Sequence, residues 1–142
     1  MPTLPWSEPR TPPPETATLV MASRLEVRSL RHVPGFLAAS LVLWRQARGA
    51  PGAVGVGLRA WPLRRTFWTV SAWEDEAAIR AYAGTEPHRS TMRRKRAVMR
   101  ESDFVFWNVP AGDLPVSWEE VERRIAAHRE QGGTSARSDA AA

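Results

Sequence analysis

The chain of 142 residues is long enough for one domain with its own core, and its 43% hydrophobic and 25% charged residues are typical of a soluble protein. The absence of cysteine excludes thiol catalysis, disulfides and Cys-ligated metal sites. The formal net charge is +5, but Lys95 is the only lysine among 20 basic residues, which indicates a coding bias toward GC-rich codons rather than a nucleic-acid partner.

The two ends of the sequence differ in composition from the middle. Residues 1–17 contain six prolines and predict an extended N-terminal arm. Residues 131–142 are small and polar and predict a flexible tail, which leaves a single domain at 18–130. The sequence shows neither a secretory signal nor an apolar run of the ~20 residues that span a bilayer, so we expect a cytoplasmic protein without a membrane span.

The first half of the domain predicts a strand, a helix and two further strands. The first strand is residues 18–27, and Pro34 then favours a helix start, with apolar residues at helical spacing as far as Arg48. A second strand is predicted at residues 53–61. A third strand at 66–73 follows the turn PLRR and has the strongest strand pattern in the chain.

The second half predicts two helices, a strand and a last helix. Asp75 can cap a helix that Gly84 ends, and a further helix runs from Thr85 to about Arg100. A fourth strand is predicted at 103–109. Ser117 then begins a capping box, SWEE, for a helix that reaches about Glu130. This order predicts an α+β fold, ferredoxin-like βαββαβ with an added C-terminal helix.

The third strand is apolar on both faces. Phe67, Thr69 and Trp73 point to one side. Trp68, Val70 and Ala72 point to the other. Helices can cover one face of an antiparallel sheet, and a strand of this kind needs a cover on the second face as well. In a small domain, we expect a second subunit to supply it.

The basic stretch GTEPHRSTMRRKR divides into two stripes on a helix. At 100° per residue, one face carries His88, Met92, Lys95 and Met99. A separate stripe carries Arg89, Arg93, Arg96 and Arg100. The run is therefore a His/Met face with an arginine edge, and that edge is either a solvated helix face or a partner for carboxylates such as haem propionates.

Two interpretations of His88 are open. The simpler one is a local hydrogen bond in the first turn of its helix. The other is ligation of a haem iron, because a position near the positive end of a helix dipole favours the neutral imidazole that binds a metal or accepts a proton. Met92 and Met99 can supply part of the apolar surface that a macrocycle needs.

Arginines and tryptophans in the predicted strands and first helix are further candidates for a binding site. Arg24 and Arg59 interrupt strand patterns, so they either face a pocket or protect a sheet edge. Trp44, Trp68 and Trp73 are simplest as core residues, although a tryptophan-lined cavity also suits a flat aromatic or polyene ligand.

The stretch FWTVSAWEDEAAIRAYAGTEPHRSTMRR resembles the dimeric α+β barrel superfamily, which includes antibiotic-biosynthesis-type monooxygenases. The closest resemblance is to spheroidene-monooxygenase-like proteins, which share a TFS-x-W strand and a PH helix start. The matching residues are Thr66, Phe67, Trp73, Pro87 and His88. The resemblance covers roughly residues 19–110.

This resemblance implies a homodimer whose sheets pack face to face, with a pocket between sheet and helices in each subunit. Carotenoid oxidisers of the group use haem, which implies haem b with His88 as its axial ligand. Other branches oxidise phenolic polyketides without a cofactor.

From the residues and the family resemblance together, we predict that the protein carries out a haem-dependent, monooxygenase-like oxidation of a hydrophobic small molecule. His88 is the predicted catalytic residue and iron ligand, and the cofactor-binding set is His88, Arg89, Met92, Arg93 and Arg96. The predicted substrate pocket contains Arg24, Arg59, Trp68 and Trp73.

Two alternative functions stay open: a cofactor-free monooxygenase or cyclase acting on a polyketide-like phenol, and a barrel that binds a ligand without catalysis. RNA binding is disfavoured, although RNA-recognition motifs share the βαββαβ order. Their third strand needs glycine and spaced aromatic residues, and RRTFWTVSAW has no glycine.

Overall fold

Residues 3–131 are described by the computed structural model, and they form a five-stranded antiparallel sheet and four α-helices. The strands are β1 (Thr3–Ser7), β2 (Ala17–Val27), β3 (Ala53–Trp61), β4 (Thr66–Trp73) and β5 (Met99–Pro110). The helices are α1 (Val33–Arg48), α2 (Glu76–Gly84), α3 (His88–Lys95) and α4 (Trp118–Glu130). Residues 132–142, nearly all of the predicted tail, lie outside this range.

The strand order is β1-β3-β4-β2-β5, with every neighbouring pair antiparallel. Leu25 of the central strand β2 lies opposite Phe67 of β4 on one side and Ser102 of β5 on the other. Apart from β1, this is the ferredoxin-like βαββαβ arrangement, and α4 is the added C-terminal helix. The predicted fold class is confirmed. No helix between residues 3 and 131 is long and apolar enough to cross a membrane.

The predicted starts of α1, α2 and α4 are also found, whereas α3 begins at His88 and not at the predicted Thr85. Pro34 stands in the first turn of α1, where its missing N–H costs no hydrogen bond. The Asp75 carboxylate accepts a hydrogen bond from the backbone N–H of Ala78 (2.9 Å) at the start of α2. The Ser117 hydroxyl accepts one from the N–H of Glu120 (3.1 Å) at the start of α4. Each bond satisfies a donor that the helix itself leaves unpaired.

One face of the sheet packs against α1 and α2. Phe36 of α1 lies 4.7 Å from Phe67 of β4 between ring centroids, in a cluster with Leu25 and Val27 of β2. A second cluster joins α1, β3, β4 and α2, and its members are Ala47, Ala53, Val56, Trp73 and Tyr82. These two clusters leave a space between them, beneath α1 and α3.

The opposite face of the sheet is covered by α4. Val121 and Ile125 of this helix pack against Val20, Val70 and Ala72, all of which are buried within a single chain. The sequence prediction that a second subunit must cover this face is wrong, because α4 already removes it from solvent. A periodicity argument could identify the second apolar face of β4 but could not show which element covers it.

The N-terminal arm also contributes to the sheet. Thr3–Ser7 forms an edge strand on β3, with Leu4 opposite Leu58, where the proline-rich composition predicted an extended arm only. The Trp6 ring lies flat against Gly55, and a methyl group at position 55 would overlap it. Gly55 in AVGVGLRAW therefore leaves room for a tryptophan from a strand that the sequence pattern did not predict.

The helix after Pro87 ends earlier than predicted. α3 stops at Lys95, a 3-10 turn covers Arg96–Val98, and β5 begins at Met99. Met99 pairs with Val27, and the Arg28 N–H donates to the Val98 carbonyl (2.9 Å). Pairing with β2 overrides the helical pattern, which no glycine or proline interrupts before Arg100.

Candidate active site

An inner cavity of about 100 Å³ lies between the sheet, α1 and α3. Its floor comes from strands β2, β3 and β4, and includes Met21, Leu25, Leu58 and Thr69. Its roof comes from α1 and α3, and includes Phe36, Leu43, Trp44, His88, Thr91, Met92 and Lys95. Small-molecule sites are commonly ~300–1,000 Å³, so this cavity alone admits only part of a ligand.

An outer groove of about 590 Å³ lies between α3 and β5, within the size range of small-molecule sites. It is lined by Ala83, His88, Arg89, Met92, Arg93, Arg96, Met99, Ser102, Phe104 and Phe106. His88, Met92 and Phe104 line both spaces and form the partition between them. All five residues of the predicted cofactor-binding set are thus brought together along one groove.

Helical spacing on α3 explains this arrangement. His88, Met92 and Lys95 line the inner cavity, as expected for positions i, i+4 and i+7. The neighbouring stripe of Arg89, Arg93 and Arg96 lines the outer groove. The two predicted stripes are therefore found over this length, but Arg100 leaves the arginine stripe because it lies in β5 and pairs with Glu26 (3.4 Å).

His88 is half-buried and held by two neighbours. Its Nδ1 donates to the carbonyl oxygen of Ala83 (3.2 Å), and its ring lies 4.6 Å from the Tyr82 ring between centroids. Since the carbonyl can only accept, Nδ1 carries the proton and Nε2 keeps a free lone pair. Burial lowers the pKa of His88, and the hydrogen bond to Ala83 opposes this only in part. The imidazole is therefore neutral near pH 7, mainly because of desolvation and not only because of the helix dipole.

Tyr82 supports His88 from the core. Its hydroxyl donates to the Leu43 carbonyl of α1 (3.0 Å), and burial raises the pKa of the phenol above its usual value. Trp73 stacks behind it at 5.0 Å, with its Nε1 donating to the Ser71 hydroxyl (2.8 Å). Trp73, predicted to line the substrate pocket, is fully buried behind residues that line the inner cavity, among them Ser71 and Tyr82.

Trp44 and Lys95 line the inner cavity without belonging to the predicted site. The Trp44 Nε1 is buried and has no hydrogen-bond partner within residues 3–131. A buried N–H beside a cavity can donate to a ligand oxygen without breaking an existing hydrogen bond. Sequence spacing predicted Trp44 as a core residue on α1 and Lys95 on the same helix face as His88. It could not show that both residues line one cavity.

Arg24, Arg59 and Trp68 lie on the α4 face of the sheet and not with His88. Arg24 pairs with Glu26 (3.1 Å) and Glu101 (3.6 Å). Arg59 pairs with Glu122 of α4 (2.8 Å). Both guanidinium groups stack on the Trp68 ring, at 5.8 Å and 5.4 Å from its centroid. The Arg59 pair joins α4 to the sheet, and the Arg24 pairs lie within the sheet. None of the three residues lines the inner cavity or the outer groove.

Neither space contains a metal-binding cluster: residues 3–131 hold no group of three or more His, Cys, Asp or Glu side chains suited to a metal ion. A single histidine with a free Nε2 suits a metal whose other ligands come from a macrocycle. It also suits a general base, which needs no metal.

A comparison with known protein families identifies the family of this chain. The family described as "Domain of unknown function (DUF3291)" matches residues 19–139, which is most of the chain. The chain is a member of the DUF3291 family. No curated protein sequence matches it.

Solved structures similar to this DUF3291 protein include antibiotic-biosynthesis-type monooxygenases. A putative one from Bacteroides thetaiotaomicron has a TM-score of 0.60 at 15% identity, covering 70% of this chain and 96% of that one. Another from Nitrosomonas europaea has a TM-score of 0.59 at 15% identity, covering 65% and 89%. A variant of SnoaB, a cofactor-independent oxygenase from Streptomyces nogalater, has a TM-score of 0.53 at 16% identity, covering 63% and 90%.

The predicted resemblance to this monooxygenase-like fold is confirmed, and the closer resemblance to spheroidene-monooxygenase-like proteins stays a prediction. At these identities the similarity is one of fold. The neighbours match about two thirds of the DUF3291 chain but nearly all of their own length. The DUF3291 protein therefore carries additional structure beyond the shared fold.

Proposed function

We propose that this DUF3291 protein is a monooxygenase-like enzyme that oxidises a phenolic, hydrophobic small molecule without a cofactor. The observation that carries the proposal is the placement of His88: it is fixed through Nδ1 to Ala83 and lies in the partition between inner cavity and outer groove, where burial lowers its pKa. The similarity in fold to a cofactor-independent oxygenase supports it.

In this mechanism His88 is the general base. Its Nε2 accepts the proton of a phenol or of the acidic CH₂ of an anthrone, and the electron-rich anion reacts with O₂. A hydroperoxide forms at carbon and loses water, so that CH₂ and O₂ become C=O and H₂O. The positive charges of Arg89 and Arg93 stabilise the anion, and the Trp44 N–H donates to a substrate oxygen in the inner cavity.

The test uses 1,8-dihydroxyanthrone as substrate and protein freed of metal and haem. We expect O₂ consumption and quinone formation above the protein-free rate. His88→Gln should lower the enzymatic rate about 10²–10⁴-fold, as the loss of a general base does. His32→Gln, at a half-buried histidine outside both spaces, is the matched control and should leave the rate unchanged. Binding without turnover in every preparation would instead favour a barrel that only binds its ligand.

Haem-dependent oxidation is the second candidate, and the composition of the outer groove favours it. The inner cavity is too small for a macrocycle, whereas the outer groove has suitable residues. His88 Nε2 is the ligand for iron, Met92, Met99 and Phe104 offer an apolar surface, and the arginines of α3 can pair with propionates. Bound haem b would supply activation of O₂, while the protein positions the substrate and excludes water.

Titration with hemin tests this candidate. A sharp Soret band with one equivalent of hemin, abolished in His88→Ala and kept in His32→Ala, supports haem ligation by His88. A Soret band that is the same in both variants, or no band at all, rejects it.

The homodimer that the family resemblance implies is also a proposal. In dimers formed face to face, the two sheets meet, but in this chain α4 covers the sheet face with Val121 and Ile125. We therefore propose a dimer interface away from that face. Light scattering tests it: a mass of two chains supports the dimer, and a mass of one chain rejects it.

A further inference from the structure

The arginines of the outer groove differ from most others in the chain because their charges are unpaired. Within residues 3–131, five arginines make no side-chain hydrogen bond, ion pair or ring contact with another described residue: Arg31, Arg45, Arg89, Arg93 and Arg96. Three of the five lie along one wall of the groove. Unpaired guanidinium groups beside a cleft are available to a carboxylate, which they bind through two parallel N–H bonds.

Glu86 does not neutralise this wall. Its carboxylate accepts from the backbone N–H of Ser90 (2.8 Å), and that bond is the main reason why its pKa is lowered. The charges of Arg89 and Arg93 contribute less to the lowered pKa of Glu86. Glu86 does not line the groove, so the wall stays positively charged.

The wall that β5 contributes to the groove is mostly apolar. It consists of Met99, Phe104 and Phe106 together with the buried Ser102. The Phe106 side chain is 54% exposed, although aromatic rings of this size usually find a cover. A groove with a cationic wall and an aromatic wall matches a ligand that has an acidic group on one edge of an apolar ring system.

His88, Met92 and Phe104 border both the groove and the cavity, and Trp44, whose buried Nε1 has no hydrogen-bond partner among the described residues, lines the cavity. These shared residues give the ligand a direction. We infer that the ligand of this site is an elongated aromatic carboxylate. Its acidic group pairs with Arg89 and Arg93 in the outer groove, and its ring system lies on Phe104 and Phe106 with the opposite end toward the inner cavity. This inference rests on the site proposed above and adds the class of its substrate.

The experiment compares two probes with the same ring system, one carrying a carboxylate and the other a neutral methyl group at the same position. Anthracene-9-carboxylate and the neutral 9-methylanthracene are titrated into the full chain and followed by fluorescence. The groove variant is Arg89→Gln/Arg93→Gln. The control variant is Arg31→Gln/Arg45→Gln, which removes two equally unpaired and exposed arginines and changes the net charge by the same amount, at positions outside the groove.

We expect the groove variant to bind the carboxylate about tenfold more weakly than the unchanged protein, and the control variant to bind it within about twofold, since exposed ion pairs contribute ~0.2–1 kcal/mol each. The affinity for 9-methylanthracene should be the same in all three proteins. Added salt should weaken binding of the carboxylate by the unchanged protein more than by the groove variant.

Several outcomes overturn the inference. Equal binding of the two probes, equal losses in the two double variants, or no binding of either probe would each do so. If hemin loses affinity in the groove variant and anthracene-9-carboxylate does not, the carboxylates recognised are haem propionates and the inferred substrate class is wrong.

The inference and the proposed function can fail separately. One outcome is a protein that prefers the carboxylate probe because of its groove arginines and yet consumes no O₂ with any phenol. That result keeps the inference and rejects the proposed function. Oxidation of 1,8-dihydroxyanthrone that depends on His88, with no preference for the charged probe, keeps the function and rejects the inference.

Discussion

His88 Nδ1 donates to the carbonyl oxygen of Ala83 across the break between α2 and α3, over 3.2 Å. Ala83 lies in the last turn of α2, where carbonyl groups lack helical partners. This hydrogen bond therefore gives a carbonyl group at the end of α2 a partner, and it also fixes the tautomer of His88, the first residue of α3. The free Nε2 that the proposed function needs is thus a consequence of how the two helices meet.

The first prediction concerns the protonation of His88. Because burial disfavours the charged imidazole, its pKa should lie below the 6.5 of an unperturbed histidine. Titration of the ring proton by NMR, assigned with His88→Gln, measures it. If His88 is the base, kcat/KM should follow the neutral fraction of His88, with a plateau at higher pH and half of that plateau at the measured pKa. A ring that titrates at or above 6.5 would contradict the burial that we describe.

The second prediction is a pH dependence of stability. In the interval between the lowered folded pKa and the unfolded value of 6.5, the unfolded chain binds a proton at His88 that the folded chain does not. The free energy of unfolding should therefore be highest above 6.5 and fall as the pH is lowered through this interval. Urea unfolding at about pH 7.5 and about pH 5.5 measures the change. His88→Gln should reduce it, and an unchanged difference would show that other groups cause it.

The third prediction concerns the contact between Trp6 and Gly55. Gly55→Ala places a methyl group inside the Trp6 ring and should lower the free energy of unfolding by about 1–3 kcal/mol, the usual cost of overpacking. Gly84→Ala, where a methyl group meets nothing within 4 Å, is the control and should change stability by less than about 1 kcal/mol. Chemical denaturation measures both.

A double-mutant cycle identifies the cause of the Gly55 effect. In a Trp6→Ala background the clash is absent, so Gly55→Ala should cost much less than in the unchanged chain. An equal cost in both backgrounds would mean that Trp6 does not lie on Gly55.

The fourth prediction concerns the cover of the sheet by α4. Ile125 is 1% exposed, and Ile125→Ala should lower the free energy of unfolding by about 2–5 kcal/mol. Leu41→Ala removes a side chain of the same size that is 40% exposed, and should cost clearly less. Comparable losses for the two variants would show that α4 does not bury this face.

Removing α4 tests the same cover by another route. A chain that ends at Gly112 exposes Val20, Val70 and Ala72, and should associate with itself at concentrations where a chain that ends at Gln131 keeps its mass. Light scattering distinguishes the two. If the shorter chain keeps the same oligomeric state as the longer one, the face does not depend on α4 for its cover.

The local patterns that were predicted correctly depend on neighbours in sequence. Asp75 and Ser117 act through backbone N–H groups three residues away, so their role is encoded locally. The division of α3 into a His88 face and an Arg89 stripe follows from 3.6 residues per turn, and it holds as far as the helix itself continues.

The features that the sequence could not decide depend on distant contacts. Arg24 and Arg59 interrupt strand patterns whether they face a ligand or an ion pair, and the structure pairs them with Glu26 and Glu122 on the α4 face. In the same way, the end of α3 is decided by the pairing of Met99 with Val27, which are far apart in sequence.

By itself the sequence determined the ferredoxin-like order of elements and the side of α3 on which His88 lies, because both follow from periodicity and capping along the chain. Only the tertiary structure decided that α4 and Trp6 cover the second sheet face. It also decided that His88 stands between two adjoining spaces, with Trp44 on one side and the arginines on the other. Cavities arise where packed elements fail to meet, and that depends on the relative placement of whole helices and strands, which no local pattern encodes.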